Sequence, residues 1–170
     1  MAGVAEAMQQ NRQAADELCA AADGASEVWE VPRARGKWSP SQVVEHVTRA
    51  LEQSTRELRG EPTLFPAFPP ILQPVMRGLF FNWIVRRGRF PRGTRTNKAM
   101  NPERGAATPA EARARIHEAI HELNQAVKTR DAGFGPVRSG AFGAVALSDY
   151  LSFQAIHTRH HTTQVARPPG

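Results

Sequence analysis

The stretch Ser39-Pro40-Ser41-Gln42-Val43-Val44-Glu45-His46-Val47 starts a long amphipathic helix and decides the fold class of this chain. Serine is a favoured N-cap, proline is favoured at the first helical position, and a glutamine three residues after the cap completes a capping-box pattern. At about 100° per residue, His46 falls on the flank of the apolar stripe and can therefore reach the interior of a helical fold. That stripe runs at helical spacing to about residue 59 and comprises Val43, Val44, Val47, Ala50, Leu51 and Leu58.

Three further long helices are predicted on the same grounds. A first, alanine-rich helix covers roughly residues 3–22. A third long helix begins at Thr108-Pro109-Ala110-Glu111, a second capping box with proline at the first position. The last helix starts at Ser148-Asp149 and runs to about residue 165, and the segment 167–170 ends it.

The connection between the second and third long helices, residues 60–107, differs from the rest. Prolines break its early part, and a short apolar helix is then predicted from about Ile71 to Arg87. Because this helix is apolar nearly all round, we expect it to be buried in the fold or in a subunit contact. Further on, a glycine-rich loop is predicted over Gly133–Gly143, and no hairpin signal is recognised.

Length and pattern together predict one all-α domain that covers residues 1–170. Four long amphipathic helices with one long connection are typical of a four-helix bundle with a crossover between the second and third helices, here carrying one short extra helix.

No run approaches the roughly 18 apolar residues of a membrane span, and the first residues lack a signal-peptide pattern. A single cysteine, Cys19, cannot form an intrachain disulfide, and we expect a cytoplasmic protein without a membrane partner.

The net charge of +6 is concentrated in one region. No acidic residue lies between Glu61 and Glu103, whereas seven basic residues do, so the rest of the chain sums to about −1. A solvated basic loop and a site for an anionic partner both remain open; the partner could be a substrate carboxylate, an acidic protein surface or nucleic acid. Nucleic acid is disfavoured because no DNA-reading motif accompanies the charge. The seven residues are Arg77, Arg86, Arg87, Arg89, Arg92, Arg95 and Lys98.

Histidines supply the main candidate site. His157 and His161 are four residues apart on the last predicted helix, and at about 100° per residue they lie within roughly 40° of each other. A buried imidazole needs a polar partner, since an unpaired buried polar group costs a few kcal/mol. A metal shared with His46 would satisfy all three rings, whereas hydrogen-bonded core histidines are the alternative. His160 projects about 60° away and is expected to be a neighbour of the site.

A competing signal is His117-Glu118-Ala119-Ile120-His121, which has the H-E-x-x-H pattern of zinc proteases. The apolar face of this helix centres near Ile116 and Leu123, and both histidines project about 110–150° away from it. We therefore expect them to face water. No extended protease pattern follows, so a protease is disfavoured.

Two parts of the chain resemble the DinB/YfiT-like family: the segment 38–47 quoted above and the segment 141–164, from Ala141-Phe142-Gly143 to His161-Thr162-Thr163-Gln164. The resemblance covers most of the chain and is loose over 60–107. It implies a four-helix bundle with a crossover, a divalent metal such as zinc or nickel held by His46, His157 and His161, and often a homodimer. Many relatives carry His-Pro where this chain has Ser139-Gly140.

Characterised members of that family include thiol-dependent transferases and isomerases that use small cellular thiols, and other members are described by name as metal-dependent hydrolases. The resemblance therefore implies a metal-dependent hydrolase or thiol S-transferase acting on a small molecule. A metal-stabilised binding or stress protein without catalysis is the alternative, and nucleic-acid binding through residues 77–98 is a weaker one.

Overall fold

Capping chemistry sets the bounds of the central helix, as the sequence predicts. In this computed structural model, which describes residues 3–91, 93–94, 96–131 and 135–166, α2 spans Pro40–Arg59. The Ser39 hydroxyl accepts a hydrogen bond from the Gln42 amide nitrogen, and Gln42 Oε1 accepts one from the Ser39 amide at 3.0 Å. Gly60 ends the helix in the left-handed conformation that glycine tolerates best. The capping box is therefore confirmed.

The other three long helices also form where they are predicted. α1 spans Val4–Gly24, α5 spans Pro109–Asp131 and α6 spans Leu147–Val165. Both α1 and α2 pack against α5 and α6. Their inward stripes form one apolar core, whose largest fully buried members include Leu18, Val44, Leu51, Ile116, Leu123 and Leu151. The chain is thus predominantly helical.

One start is misplaced in the sequence prediction. α6 begins at Leu147, and its N-cap is Ala146, which offers no side-chain bond. Ser148 and Asp149 lie inside the first turn rather than at the cap, where Asp149 still complements the positive helix end. The predicted stop at 167–170 lies outside the described residues.

A β-hairpin corrects the all-α prediction. β1 (Val137–Ser139) pairs antiparallel with β2 (Gly143–Val145), and Val137 lies opposite Val145. Val137 and Val145 are both buried. The alternation of inward and outward side chains therefore sets which face of the hairpin packs on the core, even though each strand has only three residues. Residues 140–142 join the strands, and β2 begins at Gly143, whose positive φ of 69° is a conformation that glycine tolerates best. Strands this short give almost no periodic signal. Residues 133–134 of the predicted loop lie outside the described residues.

The apolar helix predicted over residues 71–87 forms in three consecutive pieces. They are α3 (Gln73–Met76), a π-helical turn (Arg77–Phe81) and α4 (Asn82–Arg87). Only one side of this segment is buried, with Phe81 and Ile84 at its centre. Of the two predicted alternatives, burial in the fold therefore holds for one face only, because the long helices cover one face, and burial in a subunit contact stays a prediction. A short 3₁₀ turn, Lys98–Met100, follows. No helix of the described residues is both long and apolar enough to cross a membrane.

Candidate metal centre

The structure brings together the three histidines that the sequence singles out. His46 lies in the second turn of α2, and His157 and His161 lie one turn apart on α6, which packs against α2. His46 and His161 are buried, and His157 is half-buried. One potential ligand nitrogen of each ring lies within 4.8 Å of the other two. The wheel position assigned to His46, on the inward flank of its helix, is thus confirmed.

The nitrogens of His46 and His157 have a spacing that suits a shared ion. Nε2 of His46 lies 3.3 Å from Nε2 of His157. Two nitrogens on a tetrahedral zinc at about 2.0–2.1 Å would be about 3.3 Å apart, so this separation matches coordination to one centre. An N–H···N hydrogen bond at the same distance would be long. Among the described residues, no carboxylate or cysteine joins the cluster, which leaves room for a non-protein ligand.

Two of the rings are held by acceptors on their outer nitrogens. Nδ1 of His46 lies 3.0 Å from the main-chain oxygen of Met100, and Nδ1 of His161 lies 3.2 Å from Oε1 of Gln164. A carbonyl or amide oxygen can only accept, so each Nδ1 carries the proton. The Nε2 atoms of His46 and His161 are then unprotonated, and each has a lone pair available within the cluster. This arrangement, an inner nitrogen free and an outer N–H bound to oxygen, is the one that fixes metal-binding histidines in proteins.

His160 belongs to the surroundings of the cluster, as predicted. Its Nε2 lies 3.1 Å from Nε2 of Gln164, whose side chain therefore donates to His160 and accepts from His161. The two contacts agree on one orientation of the amide. Gln164 thus fixes the orientation of the His161 ring. Its position three residues after His161 could have suggested this role from the sequence.

The electrostatics favour neutral imidazoles. Burial, together with smaller contributions from nearby His46 and His160, lowers the pKa of His161 to about 3. Burial also lowers the pKa of His46 and brings the pKa of His157 well below its ordinary value. The rings are therefore deprotonated at neutral pH, which is the form that binds metal ions. Three neutral imidazoles suit zinc, copper or nickel.

Aromatic side chains border the cluster on two sides, and sequence reasoning missed both. The ring of Trp38 lies 5.0 Å from that of His46 and 6.4 Å from that of His161, between ring centres. The ring of Phe90 lies 5.4 Å from the rings of both His157 and His160. The Phe90 contacts depend on how the chain returns to α6 after α4, and the contact of Trp38 with His161 depends on the packing of α2 against α6; no local pattern reveals either.

The H-E-x-x-H pattern does not contribute to this site. His117 and His121 are exposed on α5, as the helical wheel predicts. Nε2 of His117 lies 4.0 Å from the sulfur of Cys19, which is buried. Burial raises the pKa of that thiol, so Cys19 behaves as a small apolar side chain.

A second buried polar group lies away from the histidines. The Glu57 carboxylate accepts hydrogen bonds from the Tyr150 hydroxyl at 2.8 Å and from the Gly140 amide at 3.0 Å. Burial raises the pKa of Glu57 and takes the pKa of Tyr150 well above its ordinary value. This contact joins α2, α6 and the hairpin loop. Its role is to stabilise the packing of these three elements, and the sequence did not indicate it.

The fold and the site define a mainly helical protein with a buried three-histidine cluster. The chain belongs to the DUF1569 family, described as a protein of unknown function, whose family model matches residues 6–168. Searches of curated proteins and of solved structures gave no match.

Proposed function

We propose that the protein binds one divalent metal ion, zinc or nickel, through His46, His157 and His161, and that it is a metal-dependent enzyme of the hydrolase or thiol S-transferase type. The observation that carries this proposal is the 3.3 Å separation of the His46 and His157 Nε2 atoms, together with the outward N–H bonds of His46 and His161. A bound ion would act as a Lewis acid and lower the pKa of a coordinated water or small thiol.

The proposed architecture is a four-helix bundle with a crossover between α2 and α5, of the DinB/YfiT-like type. The pairwise packing of α1 and α2 against α5 and α6 supports it. The hairpin and the helical segment 73–87 are additions to that plan. The resemblance in segments 38–47 and 141–164 supports the same assignment, because it places the ligands on α2 and α6.

The chain's own side chains would prepare this site in two ways. Met100 and Gln164 orient two rings through their oxygen atoms, so that little rearrangement is needed on metal binding. Trp38 and Phe90 restrict access by water and offer apolar surface to a substrate. Phe90 and Met100 both lie beside the histidines, and they fall within or next to the basic stretch 86–98. The cations of this stretch would hold an anionic end of a thiol or substrate.

The first test is metal analysis of the purified protein and of two variants, His46→Ala and His157→Ala. We expect about one divalent ion per wild-type chain and a loss of affinity of at least about 100-fold in each variant, since each removes one of three ligands. His121→Ala is the matched control, because His121 is exposed on α5. Unchanged metal content in both ligand variants would refute the metal site.

A second test separates the enzyme from a non-catalytic metal-binding protein. The metal-loaded protein is incubated with small thiols and electrophilic acceptors, and with ester and amide substrates, while product is followed by mass spectrometry. Turnover that disappears in His157→Ala supports the enzyme. Full metal occupancy without turnover over the whole panel would favour the binding or stress protein.

A further inference from the structure

We infer that the outer face of the helical segment 73–87 docks on an anionic lipid surface, without spanning it. This face carries the aliphatic side chains of Val75 and Leu79, which are 52 and 78% exposed, and the turn just before α3 adds Ile71 and Leu72, which are 82 and 47% exposed. Val75 and Leu79 are four residues apart, about one helical turn, and so lie on the same side of the segment. A contiguous exposed aliphatic stripe on an otherwise well-packed chain marks an interaction surface.

The segment is firmly attached to the fold by its opposite face. Phe81 and Ile84 are buried, and the Phe81 ring packs at 5.1 Å from the rings of both Phe142 and Phe153. The stripe therefore cannot turn inward to bury itself, because that would expose a larger aromatic cluster. It is held outward as a rigid element, which is the geometry of an interfacial amphipathic helix.

Exposed positive charge follows the stripe along the chain. In the part of the chain that the structure describes, no carboxylate pairs with Arg86, Arg87, Arg89 or Lys98, and the sequence has no acid between Glu61 and Glu103. Elsewhere, arginines such as Arg49, Arg59, Arg113, Arg115 and Arg159 contact acids of the same chain. Arg12 on α1 also has no carboxylate partner among the described residues, so the distinguishing feature is the absence of acids over residues 62–102, which makes this part of the chain positive and attractive to an anionic partner.

The chemistry selects a lipid surface over the other occupants. Two copies meeting through this face would bring their unpaired arginines together, which opposes association. Nucleic acid would use exposed aromatic rings for stacking, but Phe81 is buried and Phe80 and Trp83 are half-buried. Aliphatic side chains with flanking arginines match acyl chains below anionic headgroups. The sequence predicted no membrane partner because it lacks a span, and surface docking needs none.

The test is co-sedimentation of the full chain with vesicles of equal parts phosphatidylglycerol and phosphatidylcholine, and with phosphatidylcholine alone. We expect binding to the anionic vesicles, at least about tenfold weaker on neutral ones and in about 0.5 M salt. The double variant Ile71→Ser/Leu79→Ser should weaken binding at least about tenfold, whereas Val31→Ser, an exposed aliphatic elsewhere, should not. Arg86→Ser/Arg87→Ser should weaken binding to the anionic vesicles, and Arg12→Ser on α1 should have little effect.

Three results would overturn the inference. One is no sedimentation with anionic vesicles at low salt. Another is binding that survives Ile71→Ser/Leu79→Ser, which would mean charge adsorption without insertion. The third is a wild-type dimer in analytical ultracentrifugation that this double variant dissociates, which would assign the stripe to a second copy. Far-UV circular dichroism checks that each variant is folded.

Discussion

Nε2 of His46 and Nε2 of His157 lie 3.3 Å apart, although 111 residues separate them along the chain. Because the Met100 oxygen fixes the His46 proton on Nδ1, the His46 Nε2 presents a lone pair to His157. Without metal, His157 must donate its own Nε2 proton across this gap. With metal, both lone pairs point to one centre, and the same distance needs no change. That hydrogen bond is long at this distance, whereas metal binding would need little rearrangement of the two rings.

Replacing Gln164 with alanine tests the support of the His161 ring. The change removes the oxygen that accepts from Nδ1 of His161 and leaves the ring free to rotate. We expect metal affinity to fall about 10- to 100-fold while the fold is retained. Competition with a fluorescent chelator measures this, and Gln125→Ala, an exposed glutamine on α5, is the matched control. Equal affinities in wild type and Gln164→Ala would remove the supporting role.

Acid should destabilise the metal-free protein through its buried histidines. Their pKa values are lowered on folding, to about 3 for His161, so the unfolded chain binds protons first as the pH falls below about 6.5. Stability is therefore highest above that pH and decreases toward pH 4, by up to about 1.4 kcal/mol per pH unit for each histidine. Urea unfolding at several pH values measures the slope. The variant His157→Gln should flatten it, and an unchanged slope would contradict this explanation.

Tyr150→Phe should destabilise the fold by leaving a buried carboxylate short of one donor. The Tyr150 hydroxyl lies 2.8 Å from Glu57, and both groups are buried. Loss of such a bond costs about 1–3 kcal/mol of unfolding free energy. Urea unfolding of Tyr150→Phe, Glu57→Gln and the double variant forms a double-mutant cycle. A coupling energy near zero would show that the two groups act independently.

Arg115→Ala should be more costly than the loss of an exposed ion pair. Arg115 on α5 contacts Glu45 on α2, whose side chain is only 7% exposed, and Arg49 is the second cation at that carboxylate. We expect a loss of about 1–2 kcal/mol, moderated because Arg49 remains. The exposed pair of Arg159 with Glu17 gives the control, Arg159→Ala, with an expected loss below about 1 kcal/mol. Thermal unfolding compares the two, and equal losses would contradict the role of burial.

Local signals determined the helices and the candidate ligands. The Ser39 cap, the apolar spacing of α2 and α5 and the i, i+4 spacing of His157 and His161 act within one or two turns, so the sequence alone predicts them. The same local geometry correctly directed His121 toward solvent. Local patterns did not predict the hairpin, because three-residue strands carry too little periodicity. They also misplaced the start of α6, because Ser148, a better capping residue than Ala146, lies inside the helix.

Only the tertiary structure decided how distant segments meet. The approach of His46 to His157, the oxygen of Met100 behind it, and the rings of Trp38 and Phe90 beside it depend on helix packing and on the path of a long loop. The exposure of Leu79 likewise depends on which face of its helix the neighbours cover. Such contacts join residues far apart in sequence, and no periodic pattern within the chain encodes their geometry, because it arises from the packing of the whole core.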